Sequence, residues 1–282
     1  MSRLKNIYFL FFVLFFLIAA CNRGKLFYDY GDELASWQID SFFDLTTQQE
    51  EWIEERMRMH LDWHRNEELP LYRSFLIEVQ NKARDGLTIS ELDESYARLD
   101  QNRIRTLERL LPDTASFLGG VSPEQIDTLE KKMIEENQDM EEDLESPEKL
   151  YRERQERFWE QMEDWFGDFS EDQQDKINIL HKEWFSSLSD SLAARLERRR
   201  QSQLQFLVQL RSSQDKEELE KWLRRSVINW AGETDSAKQS RILRNKKRIL
   251  QVDKLLTPDQ RRHAVMELDE WIEIIDRIIM DN

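Results

Sequence analysis

His60, His64 and Glu68 follow one another at four-residue steps, which on a helix lines two imidazoles and a carboxylate along one face. Two neutral imidazoles with a carboxylate are a donor set that a Zn²⁺ or Ni²⁺ ion accepts. No further strong ligand stands nearby in sequence. The same spacing therefore also fits structural hydrogen bonding, with His64 between helices beside Trp63 and Arg65 and with His60 exposed. The other two histidines, His181 and His263, stand alone and are expected at a surface or an interface. Cys21 is the single cysteine, so the chain beyond it holds no disulfide, thiol nucleophile or thiolate metal site. A Gly-x-Ser-x-Gly elbow, a glycine-rich loop before a lysine and a His-Glu-x-x-His motif are all missing. The 57 acidic residues make so many chance pairs that none stands out as general acid and base. The expectation is a non-enzymatic protein without a cofactor, a metal on His60, His64 and Glu68 being the weaker reading.

What positions these side chains must be helix. With 7 glycines, 5 prolines and 35% charged residues, the composition argues for long helices and against sheets. One device recurs: a Ser or Thr, two variable residues and Gln, at Thr46–Gln49, Ser122–Gln125, Ser170–Gln173 and Thr257–Gln260. Each reads as a capping box, in which the hydroxyl accepts from the N3 amide and the glutamine reaches back to the N-cap amide. Pro123 and Pro258 follow at N1, where no amide proton is needed. Thr88–Glu91 is a fifth box, with Glu for Gln.

Apolar spacing fills in the helices behind the boxes. The helix carrying Trp52, Ile53, Met59, His60 and Trp63 is expected to end or kink near Leu69, ahead of Pro70. The one from Leu92 is expected to stop at Pro112. Residues 177–210 read as one long helix, and the chain closes on an amphipathic helix with Leu268, Trp271, Ile275 and Ile279. No convincing strand is found, so the fold class is all-α. Phe42, Phe43, Trp52, Trp63, Phe158, Trp159, Trp165, Phe166, Trp184 and Phe185 are expected mostly in the core, some lining an apolar face that takes peptides.

Charge divides the chain. Residues 21–168 hold 18 basic against 37 acidic side chains, residues 169–282 hold 21 against 20. Acidic residues crowd from Glu135 to Glu148, basic ones at Arg195–Arg200 and Arg241–Arg248. Solvated helix faces, attraction between the halves or partners, and contact with anionic headgroups all fit this pattern. Nucleic acid does not, given the net negative charge. Leu71–Ile77 is echoed by Ser202–Val208, and each half opens and closes with a box. Two tandem helical units follow as an expectation, 46–168 and 169–282, after a signal over 1–20 and a first helix within 21–45.

Arg3 and Lys5, an apolar run from Ile7 to Ala20, and Cys21 have the layout of a secretory signal. Ile18-Ala19-Ala20-Cys21 resembles the bacterial lipobox, where cleavage between Ala20 and Cys21 leaves a cysteine that is lipidated. An ordinary cleaved signal or an anchor helix is the alternative. Asn22 in place of Asp implies the outer membrane, facing the periplasm. Trp63-His64-Arg65, Glu68-Leu69-Pro70, Ser122-Pro123-Glu124-Gln125 and Trp165-Phe166-Gly167, with Cys21, Trp37 and Phe43-Asp44-Leu45-Thr46, resemble a family of Gram-negative helical lipoproteins without assigned function. The boxes are also similar to the Leu-Thr-x-x-Gln motifs of the periplasmic Spy and CpxP proteins. That similarity implies capture of unfolded protein clients, although the Spy cradle is basic and this first half is acidic. The partners expected are thus a membrane, through the lipid, and an envelope protein or unfolded client. The alternative is a structural or assembly lipoprotein with one dedicated envelope partner, and a metal-binding protein or a hydrolase is the less favoured reading.

Overall fold

Four hydroxyl-and-glutamine boxes, spaced along a chain with few glycines, start four of the helices. The computed structural model describes residues 23–186, 188–228 and 235–280, and among them the fold is all-α. The expected signal segment and the lipid site at Ala20–Cys21 lie outside these residues. The helices are α1 (Arg23–Phe43), α2 (Thr47–Trp63), α3 (Leu69–Ala83), α4 (Ile89–Gly119), α5 (Pro123–Leu144) and α6 (Pro147–Phe166). They continue as α7 (Glu171–Trp184), α8 (Leu188–Ser212), α9 (Lys216–Leu223), α10 (Asp235–Asp253) and α11 (Pro258–Met280). Two π-helical turns, His64–Glu68 and Arg224–Ile228, are inserted after α2 and α9. None of these helices is long and apolar enough to cross a membrane.

Two boundaries differ from the sequence expectation. Pro112 does not stop α4, which runs on to Gly119. An interior proline costs about 3 kcal/mol, but Leu111, Ala115 and Leu118 are all buried in one cluster, and that packing holds the helix through it. Residues 177–210 are not one helix. The chain breaks after Trp184, whose carbonyl accepts from Arg248 Nη2 at 2.9 Å, while the Phe185 ring packs on His181 at 4.5 Å. A tertiary cation thus satisfies the end of α7, which local periodicity could not show.

Among the described residues, three apolar clusters form the core. The largest joins Phe43, Leu111, Ala115, Val121, Ile126 and Leu129 to Leu207, Leu210, Leu219 and Leu223. A second joins Tyr28, Leu61 and Leu69 to Ile274 and Ile278. Both cross the 168/169 boundary, and so does the third, which joins Met162 to Phe169, Ile177 and Val252 around the second half's boxes. The segments 46–168 and 169–282 are interlocked, not two separate cores. The interlocking is reciprocal: α5 of the first half packs on α8 of the second, and α11 of the second packs on α3 of the first.

The charge asymmetry is used in that packing. Arg199 of α8 meets Glu136 of α5 at 2.6 Å with both side chains nearly buried, and Arg200 meets Glu141 at 2.7 Å. Arg211 takes Asp127 and Glu130, and Lys246 of α10 pairs with Asp93 of α4.

Candidate functional site

The boxes fix more than helix starts. Thr46, Thr88, Ser122 and Ser170 each accept from the N3 amide while the N3 side chain accepts from the N-cap amide. Thr257 and Gln260 exchange the same two bonds, at 3.2 and 2.9 Å. The glutamines then pair across the fold. Gln49 and Gln125 exchange amide hydrogen bonds at 3.1 and 2.8 Å, and Gln173 and Gln260 do so at 2.8 and 3.4 Å. Each pair also reaches main chain two residues ahead of the opposite box. Gln125 donates to the Asp44 carbonyl, Gln260 to that of Asp168, and Gln173 to that of Leu255. Two helix starts per half are thereby bolted together, a reason for Gln at N3 where Glu would serve a lone box.

The run Trp63–Pro70 forms a polar junction between α1, α2, α3 and α4. The π-turn inserts an extra residue into the helix, and Pro70 then opens α3. His64 is buried, with Nδ1 hydrogen-bonded to the Tyr28 hydroxyl at 2.7 Å and its ring against Tyr72 and Trp63. Arg65 lies over the Tyr28 ring at 5.1 Å. Glu68, 1% exposed, accepts two bonds of 2.8 Å from Arg105, which also donates to Asn102 at 2.9 Å. Burial pushes the His64 imidazole down to about 4, with Glu68 acting weakly the other way, and holds the Tyr28 phenol far above its usual range.

The expected exposure of His60 is corrected here. His60 is buried, not exposed, and its Nε2 lies 2.9 Å from Asp113 of α4. His60, His64 and Glu68 thus turn to three different partners, Asp113, Tyr28 and Arg105, and no group of three potential ligands converges among the described residues. His181 is likewise fully buried, not a surface residue. Its Nδ1 is 3.3 Å from the Tyr151 hydroxyl, with Phe158 and Phe185 around the ring. Each half therefore sets a histidine behind its first box against a tyrosine from the helix ahead of it. His263 is half-buried beside Glu267 and the Asp164 carbonyl.

The aromatic residues singled out from the sequence are buried or half-buried, and some pack ring against ring, as Phe158 does with Trp159 and with Trp184. They do not line an open face. One open apolar feature is aliphatic: a groove of about 330 Å³ between α5 and α8, floored by Met133, Leu207 and Asn137. Ile134 and Leu204 line it at 50% and 56% exposed, and Val208, one turn on from Leu204, is 58% exposed, far too much for residues in a closed seam. Arg200–Glu141 and the Arg211 pairs with Asp127 and Glu130 bridge the helices towards its two ends. The reciprocal seam, α3 against α11, is tied instead by Arg73 on Asp276 at 2.6 and 3.0 Å and by Gln80 on the Val265 carbonyl. Sequence reasoning passed over Ile134, although it adds a second apolar side chain beside Met133, out of phase with the buried stripe.

Residues 41–235 match the profile of a family of unknown function (DUF6279). No curated protein and no solved structure matches the chain.

Proposed function

The chain belongs to this family, DUF6279, and we propose from its own residues that it is a lipid-anchored envelope protein that binds apolar protein segments without catalysing a reaction. The lipid would sit on Cys21, the outer membrane would be its place, and the helical body would face the periplasm. The observation that carries the binding reading is the α5–α8 groove, an aliphatic strip left open between two helices that ion pairs hold together at its ends. Aliphatic side chains without fixed polar partners favour extended or helical segments of varied sequence over one small ligand.

Aggregation suppression by residues 22–282, without nucleotide, on two unrelated unfolding clients tests this reading. Protection of both at near-stoichiometric amounts, lost in Ile134→Glu/Leu204→Glu, is the expected result. Protection of neither would refute client capture and leave a single dedicated envelope partner, to be sought by crosslinking in cells.

A further inference from the structure

The face of α1 turned away from the body is apolar at positions that packing does not use. Tyr30, Leu34 and Trp37 are 50%, 49% and 69% exposed. Spaced at i, i+4 and i+7, they fall within a sector of about 60° on a helix of 3.6 residues per turn. The opposite face is spent on the fold, where Tyr28, Ala35 and Ser36 are buried and Ile39 and Phe42 pack on the largest cluster. Trp37 is the most exposed of the tryptophans whose surroundings are described.

We infer that this stripe lies on the surface of the bilayer that holds the lipid anchor, and so sets the orientation of the whole body. The inference rests on the proposed lipidation of Cys21. Helix α1 begins at Arg23, two residues after that cysteine. At 1.5 Å per residue, Trp37 lies only about 21 Å along the helix from its start, so the anchor keeps the stripe at the membrane. Tyr and Trp are the side chains that favour the headgroup level, where an amphipathic ring has one apolar body and one polar tip. Acyl chains supply one membrane signal and an apolar helix face a second, and two signals make a stable, oriented attachment. Asp29 and Glu33 are exposed beside the stripe, which suits a zwitterionic surface and disfavours an anionic one.

Lipidation occupies the only native thiol, so an introduced cysteine can be labelled alone. Full-length lipidated Leu34→Cys, and Gln205→Cys on the exposed side of α8 as a control, would each carry an environment-sensitive fluorophore in phosphatidylethanolamine/phosphatidylcholine vesicles. The expected result is several-fold weaker iodide quenching at position 34 than at 205. Adding Tyr30→Ser/Trp37→Ser, or anionic phosphatidylglycerol, should restore the quenching. Equal quenching at both positions, with lipid on the N-terminal peptide by mass, overturns the stripe and leaves the anchor standing. A peptide without lipid overturns the anchor and the inference together. Shielding of position 34 that persists in vesicle-free protein assigns the stripe to a second copy of the chain and also overturns it.

Discussion

The hydroxyl of Tyr28 and Nδ1 of His64 meet at 2.7 Å across 36 residues of sequence, in an apolar setting closed by Tyr72 and Trp63. This contact joins α1 to the junction from which α3 departs, and burial favours the neutral imidazole there. Burial depresses the folded-state value from the ordinary 6.5 to about 4. In that window the unfolded chain binds the proton and the folded chain does not. Stability is thus fully present above about pH 6.5 and falls as pH drops towards 4, by about 3 kcal/mol in total. His181, lowered by burial and then by Arg248, adds in the same sense. Thermal melts at pH 7.5, 6 and 5 should show Tm falling, with a shallower slope in His64→Gln. An unchanged slope in that variant would place the titration elsewhere.

Glu68 and Arg105 make an unequal pair, because the carboxylate is buried and the guanidinium is 42% exposed. Removing the arginine strands a buried charge, a loss of about 3–5 kcal/mol. Glu68→Gln keeps the shape and releases Arg105 towards water, so it should cost only about 1–2 kcal/mol. Urea denaturation of Arg105→Met and Glu68→Gln distinguishes the two, and the reverse order would refute the asymmetry.

The glutamine pairs should behave as coupled units. Gln173→Ala removes a cap bond and leaves the Leu255 carbonyl and Gln260 short of a donor, about 2–3 kcal/mol together. A double-mutant cycle should find coupling of about 0.5–2 kcal/mol between Gln173 and Gln260 and between Gln49 and Gln125. Gln49 with Gln260 should show none.

The bridges at the ends of the α5–α8 groove lie largely in solvent, so Arg200→Gln and Arg211→Gln should each leave Tm nearly unchanged. Ile134→Glu and Leu204→Glu should also leave Tm nearly unchanged while abolishing client protection. Loss of folding in either would show that the strip is a seam and not an open surface.

The sequence by itself determined the helices and where most of them begin. A hydroxyl three residues before a glutamine satisfies helix-end amides locally, so Thr46, Ser122, Ser170 and Thr257 needed no tertiary information. It did not determine where helices are interrupted or which faces stay open. Pro112 is carried through a helix because Leu111 and Ala115 are buried by partners about 100 residues away, and the chain breaks after Trp184 where Arg248 arrives to meet its carbonyl. The histidine spacing read as one face was true of the helix, yet Asp113, Tyr28 and Arg105 come from α1 and α4 and divide the three side chains among them. Which helix of one half meets which of the other was also beyond reach, since every amphipathic face accepts any other of similar width. The tertiary structure alone made that choice, by matching the acid-rich α5 to the arginines of α8 and tying α11 to α3. In doing so it left Ile134, Leu204 and Val208 at the surface.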